Sequence, residues 1–274
     1  MSAGLSQLQA TACGPLAVPP GCELFFIIDQ RRSPDARARL ASTGDLVRIE
    51  YLFASTDYPQ FLKDGPLWFS AKVDTELASQ AATLCLENRA GIAIVATDET
   101  SALAHARWLL VVNDHAGGQS LATYWLPELW ATLALTEPGT LFGSWLEVYS
   151  PVPRHLLECQ EPWYRWSAPA NAPYQQMHYS LADGIEPVHD TMRRLYWLEG
   201  RHTHFHDPLP GQLLTWLDNL ALLETYGITQ GRHLTAVTPL AQRTHLRERA
   251  DVMDILASQD KVYIKVERLA ALAD

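Results

Sequence analysis

In the first half of the chain, short runs of apolar residues alternate with segments of helical periodicity. Leu24-Phe25-Phe26-Ile27-Ile28 is apolar at every position and ends at Asp29, the pattern of a strand covered on both faces. Ser33-Pro34 follows, an N-cap with proline at the first helical position, and predicts a helix from about Pro34 to Ala41 that Gly44 stops. Leu46 to Phe53 alternates and is rich in β-branched and aromatic residues, so it reads as a second strand. A short helix fits Tyr58 to Lys63, before Gly65-Pro66, and Leu67 to Val73 is a third strand. Thr75 to Glu87 places Leu77, Ala81, Leu84 and Cys85 on one helical face. Gly91 to Thr97 is the clearest buried strand, and Thr100 or Ser101 caps a helix reaching about Val112. Beyond the turn at Gly117-Gly118, Leu121 to Trp125 is a fifth strand, Pro127 to Leu135 a helix and Phe142 to Tyr149 a sixth strand. Such alternation predicts three layers, with a central sheet between helices. Residues 1–21, with three prolines among small residues, read as a loose lead-in.

From Ser150 to Gln176 proline and aromatic residues dominate. Prolines block helix propagation and sheet pairing, so residues 151–176 are expected to form a linker between an α/β lobe at 22–150 and a helical lobe at 177–274. Past the linker the apolar period is helical. Ile185, Val188, Met192 and Leu195 form one stripe, and Leu213, Trp216, Leu217, Leu220 and Leu223 form another. Pro239 is expected to open a third helix. Lys261 to Ala273 reads as a fourth, although Val262 to Val266 also alternates as a strand would.

Composition narrows the possibilities. With 274 residues, 47% hydrophobic and 19% charged, the chain is globular and large enough for two modest domains. The formal charge is −10, of which residues 1–174 carry −7 and the remainder −3. Neither half has a basic block, which disfavours binding to a phosphate backbone. No run of apolar residues is long enough for a membrane span. Met1 to Gly21 lacks the basic and apolar regions of a secretory signal, so the expected location is the cytoplasm. Cys13, Cys22, Cys85 and Cys159 are widely spaced and suggest reduced thiols rather than a disulfide framework or zinc knuckle.

Catalytic signatures are scarce. The first strand leads into Asp29-Gln30-Arg31-Arg32-Ser33-Pro34, with no glycine to bring the backbone near a pyrophosphate. Gly143-Ser144-Trp145 lacks the second glycine of a hydrolase elbow, and His-Glu-x-x-His does not occur. Asp29 ends the first strand, where α/β proteins often place functional carboxylates, but it also suits a turn before Ser33-Pro34. Asp98, Glu99, His105 and Arg107 could form an acid–base group, or simply a solvated helix start with acidic residues at its positive end. Asp114-His115 beside Gly117-Gly118 reads as a loop tip. In Arg201-His202-Thr203-His204-Phe205-His206-Asp207, alternate histidines could share a metal. No carboxylate or cysteine at ligand spacing completes a shell, so the simpler reading is a polar loop closing a helix, and no metal or other cofactor is expected.

Tryptophan is abundant, with nine in the chain. Trp108, Trp125, Trp130 and Trp145 fall within predicted elements and read as core. Trp163, Tyr164, Trp166 and Tyr174 lie in the proline-rich stretch, where they either pack the lobes together or bind a partner.

The order of these segments resembles a known family. Leu24 to Asp29 is followed by Glu50-Tyr51-Leu52-Phe53-Ala54-Ser55-Thr56, then Gly65-Pro66-Leu67-Trp68, Ala90-Gly91-Ile92-Ala93-Ile94-Val95, Leu109-Leu110-Val111-Val112 and Tyr124-Trp125-Leu126-Pro127. Together they resemble the adaptor or chaperone domain, of Tap or Tec type, of bacterial type VI secretion systems, over about residues 22–150. One departure is clear. Where the family often carries an Arg-x-Tyr-Asp-Pro-like element, Ala122 to Pro127 keeps Tyr124 and Pro127 but has neither the arginine nor the aspartate.

The resemblance implies a two-lobed, non-enzymatic cytoplasmic protein that binds a toxic effector and assists its loading on the VgrG spike. Its partners would be that effector and VgrG, with no nucleic acid and no membrane. The alternative is a small-molecule α/β enzyme using Asp29, Asp98 or His105 at the strand ends, which a deep pocket lined by these residues with perturbed pKa values would favour.

Overall fold

A computed structural model describes residues 3–45, 48–114, 117–170, 178–204, 212–242 and 244–273. The strands are β1 (Cys13–Gly14), β2 (Glu23–Ile28), β3 (Glu50–Tyr51), β4 (Leu67–Ala71), β5 (Gly91–Ala96), β6 (Val111–Asn113), β7 (Gln119–Leu121), β8 (Trp145–Pro151), β9 (Trp163–Ser167) and β10 (Tyr179–Ser180). The helices are α1 (Leu5–Ala10), α2 (Ala36–Ala41), α3 (Glu76–Asn88), α4 (Glu99–Trp108), α5 (Pro127–Thr136), α6 (Pro138–Leu141), α7 (Arg154–Leu157), α8 (Ile185–Glu199), α9 (Gln212–Thr225), α10 (Gly231–Ala241), α11 (Ala250–Ala257) and α12 (Val262–Ala270). The fold is mixed α/β, with helices concentrated toward the C-terminus, as the sequence pattern predicts.

The chain divides into two compact units. A sheet unit comprises residues 4–154 and 159–192, and a helical unit comprises residues 1–3, 155–158 and 193–274. In the sheet unit seven strands run in the order β1-β9-β8-β5-β2-β4-β3, and every pairing is antiparallel. Strand β2 is flanked on both sides, with Phe26 opposite Phe69 on β4 and Ala93 on β5. One face of the sheet, with Leu24, Phe26, Ile28, Phe69 and Val95, packs on Leu77, Ala81, Leu84 and Cys85 of α3 and on Leu40 of α2. Phe25, Ile27, Trp68, Ile92 and Ile94 alternate with these residues and are also buried, which explains the continuous apolar runs. Helix α3 starts where Thr75 Oγ1 accepts the Ala78 N–H, and α5 starts with Pro127.

Two local features shape the sheet. A side chain at Gly91 would place its Cβ 1.8 Å from the Ile27 carbonyl oxygen, so only glycine permits that close approach of β5 to β2. The β5–β8 register shifts between Val95 and Ala96. Strand alternation would put Trp145 on the face of Tyr149; the bulge lets it join Trp130, Tyr124 and His105 instead. A smaller sheet orders β10-β6-β7, with β10 parallel and β7 antiparallel to β6.

Several elements differ from the sequence reading. The lead-in forms α1 and β1, and β1 pairs with β9. The second predicted strand is reduced to β3; Leu46 and Val47, where it was expected to begin, lie outside the described residues. The predicted fifth strand ends at Leu121, because Leu126 N–H turns back to the Thr123 carbonyl (2.9 Å). The largest difference lies in the expected linker. Pro151 ends β8 opposite Trp163, Val152 N–H bonds the Pro162 carbonyl (3.0 Å), and proline-free Trp163–Ser167 forms β9. The prolines sit at strand ends, where the ladder needs no proline N–H, so they bound the strand without preventing it. The sheet unit accordingly continues to Met192, beyond the expected boundary, and the helical unit takes in residues 155–158.

Within the helical unit α10 packs on α12. The buried Asn219 on α9 donates to the Ala241 and Thr244 carbonyls (both 2.8 Å) and accepts from Leu246 N–H (2.9 Å), pinning the segment that follows α10. Pro239 lies inside α10 rather than opening a helix. Residues 262–270 are helical, so the period-of-two alternation there is incidental. Among the described residues no helix is long and apolar enough to cross a membrane.

Candidate functional site

The carboxylates and histidine at the strand ends do separate structural tasks. Asp29 is buried, and its Oδ1 accepts the Arg31 N–H (2.8 Å) while its carbonyl accepts the Ser33 N–H (3.1 Å), forming the turn into α2. Asp98 is the N-cap of α4: its Oδ2 accepts the Ser101 N–H at 2.7 Å, and the bonds from Ser101 hold its carboxyl below the usual range. Glu99 occupies the first turn of that helix. Arg107 donates from Nε to the Leu52 carbonyl (3.3 Å) and pairs with Glu50 at 3.5 Å.

His105 is sealed in the core. Its ring lies 4.8 Å from Trp145 and 5.2 Å from Trp108, centroid to centroid, and its Nε2 is 2.8 Å from the Leu141 carbonyl. Nε2 therefore carries the proton of the neutral ring. Burial pushes its pKa down to about 4, against a smaller upward pull from Leu141. Gly143, at φ +49°, leaves the space this ring needs, since a Cβ there would lie 2.3 Å from Nδ1. Asp29, Asp98 and His105 line neither of the two clefts described next.

The first cleft, of about 700 Å³, lies where β2 begins and β4 ends and is lined by Cys22, Glu23, Lys72, Val73 and Asp45 among others. The second, of about 510 Å³, is more apolar. Val112 of β6, Leu121 of β7, Ala122, Leu129 and Leu133 of α5, and Ile185 of α8 line it, with Asp114, Glu186 and His189 alongside. All these residues belong to the sheet unit. Leu121 is 37% exposed, one of the few large apolar side chains so open to water. Among the described residues β7 pairs only with β6, so its outer edge carries no ladder partner. An apolar trough beside an unpaired strand edge can accept an extended peptide through backbone hydrogen bonds and apolar side chains together.

Of the four aromatic residues read as packing or partner-binding, the three described ones are packed inside the sheet unit. Trp163, Tyr164 and Trp166 lie in β9 and are 3%, 1% and 7% exposed. Trp163 joins the α3-side core, and Trp166 Nε1 donates to Ser150 Oγ at 2.8 Å. Their rings are committed to packing, which leaves them no open face for a partner. Tyr174, the fourth residue of that group, lies outside the described residues.

The histidine-rich tract contributes one member to a different cluster. His155, Glu199 and His202, all in the helical unit, place ligand-type atoms within 4.8 Å of one another. His155 Nδ1 is 2.7 Å from Glu199 Oε1, and the rings of His155 and His202 stack at 3.6 Å with planes 8° apart. His204 lies in the same turn as His202, whereas His206 lies outside the described residues, as does His115. The sequence reading missed this cluster because its carboxylate sits before the tract, three residues from His202, and its second histidine comes from α7. Glu199-x-x-His202 was the only local signal.

No family model, no curated protein and no solved structure matches this chain.

Proposed function

We propose that this chain is an effector adaptor of a bacterial type VI secretion system. In the bacterial cytoplasm it would hold a toxic effector and present it to the VgrG spike. Two things support the reading: the family resemblance carried by Leu24–Asp29, Glu50–Thr56, Gly65–Trp68 and Ala90–Val95, and one observation that gives it a physical site. That observation is the apolar cleft lined by Leu121 of β7, a strand that among the described residues pairs only with β6.

An adaptor must cover apolar surface that its client will later bury elsewhere. An extended client segment seated along Gln119–Leu121 would satisfy its backbone on the strand edge and place alternate side chains against Leu121, Leu129 and Ile185. Burying about 400 Å² of apolar surface would contribute roughly 10 kcal/mol before association costs. Asp114 and Glu186 beside the cleft favour a client segment flanked by basic residues. Chaperone action then follows from occupancy: while the segment is held, it cannot aggregate or complete the toxin's fold.

The test is secretion. Deleting the gene for this chain should remove one toxin from the secreted fraction while other type VI effectors of the cell continue to be exported. Unchanged export of every effector would overturn the proposal.

A further inference from the structure

We infer that His155, Glu199 and His202 form a binding site for a divalent transition-metal ion of the zinc class, clipping residues 155–158 to the end of α8 within the helical unit. This is independent of the adaptor reading.

Two imidazoles and one carboxylate are a recognised ligand set for borderline divalent ions. Ligand atoms around one tetrahedral zinc stand about 3.3 Å apart, given bonds of about 2.0–2.1 Å. The three side chains here already lie within 4.8 Å of one another, so small side-chain rotations bring them onto one ion. His155 has the freedom for this, because its side chain is 50% exposed.

The surroundings orient the ligands. His202 Nδ1 lies 2.9 Å from the Glu199 carbonyl oxygen, which can only accept. Nδ1 therefore carries the proton and Nε2 keeps its lone pair for a metal, the arrangement by which backbone carbonyls fix ligating histidines. The Glu199 side chain is only 8% exposed, and its Oε2 accepts the Leu156 N–H at 3.2 Å, which restrains the carboxylate. A divalent ion held by the three side chains would meet one carboxylate and two imidazole donors. Water would complete its shell.

The cluster joins residues distant in sequence, so metal binding couples to the folded state. The full chain, stripped with chelator and titrated with zinc chloride in a calorimeter, should bind one ion per chain, and its melting temperature should rise with zinc concentration. His155→Asn and His202→Asn should each weaken binding roughly tenfold or more, and Glu199→Gln similarly. His155→Asn is decisive if the buried Glu199→Gln variant fails to fold, because His155 is half exposed. His206→Ala should leave affinity within about twofold, the size of ordinary context effects rather than of a lost ligand. Absence of zinc binding would overturn the inference. So would affinity that survives His155→Asn, or that disappears with His206→Ala, since binding would then belong to the histidine tract alone.

Discussion

The ring of Phe53 stands edge-on to the ring of Trp125, with centroids 6.3 Å apart and planes at 89°. Phe53 belongs to the Glu50–Thr56 segment and Trp125 to Tyr124-Trp125-Leu126-Pro127, two of the stretches that carry the family resemblance. Tyr124 fixes the second stretch by donating its hydroxyl to the Ala106 carbonyl at 2.7 Å. Trp125→Ala should therefore lower the unfolding free energy by about 3–5 kcal/mol, as for other buried aromatic truncations. Urea denaturation of the single variants and of Phe53→Leu with Trp125→Ala should show a coupling of about 0.5–1.5 kcal/mol between the rings. Strict additivity would mean the contact contributes nothing.

His105 makes stability depend on pH with a defined sign. The unfolded ring protonates near 6.5, whereas the buried ring resists protonation until about 4. The unfolded state binds the extra proton first, so this contribution is complete above pH 6.5 and declines as pH falls toward 4. Its full size is about 3 kcal/mol. Denaturant melts across that window should show the loss, and His105→Gln should flatten the dependence while lowering stability at pH 7.5. An unchanged pH dependence in His105→Gln would contradict the assignment.

Gly91→Ala tests the close approach of two strands. With its Cβ 1.8 Å from the Ile27 carbonyl oxygen, backbone must move at the centre of the sheet. A loss of at least about 3 kcal/mol, or failure to accumulate as folded protein, is expected. Gly21→Ala meets a positive φ of +79° but has open space around it, so it should cost less, about 1 kcal/mol. Circular dichroism melts of the two variants give the ranking.

The cysteines should differ in reactivity. Burial, then the hydrogen bond with the neighbouring Cys159, push the Cys13 thiol up to about 12. At pH 8 its alkylation by iodoacetamide should be slower than that of an unperturbed thiol by roughly a hundredfold. Cys85, fully buried on the inner face of α3, should react only on unfolding. Mass spectrometry of timed alkylation reads both.

What the sequence disclosed follows from local physics. Continuous apolar runs such as Leu24–Ile28 and Gly91–Ala96 report burial on two faces, so the strands and the central sheet could be read directly. They do not report direction, and nothing local shows that β2 lies between β4 and β5 with every pairing antiparallel. Prolines 151, 153 and 162 suggested a linker, yet they lie at the end of β8 and in its connection to β9, which pair directly, because what matters is whether a ladder N–H is needed at that position. Asp29 and Asp98 sat where functional carboxylates occur and proved to be turn and cap residues, as the simpler reading allowed. The cleft residues Val112, Leu121, Leu129 and Ile185 come from four elements, and His155 meets Glu199 across a long stretch of chain. Neither grouping leaves a spacing signal. Only the pairing of β6 with β7 and the fold of the helical unit bring them together.

The central claim is that the cleft at β7 holds an effector. The most direct measurement is quantitative mass spectrometry of what co-purifies with the tagged chain from a bacterium with an active type VI system, alongside Leu121→Glu. Leu121 is 37% exposed, so the substitution should leave the fold intact while placing a charge in the cleft. The wild-type chain should bring down an identified toxin and VgrG, and Leu121→Glu should lower toxin recovery about tenfold or more. Recovery of neither protein with the wild-type chain would contradict the adaptor account; equal toxin recovery with Leu121→Glu would contradict the cleft as its site.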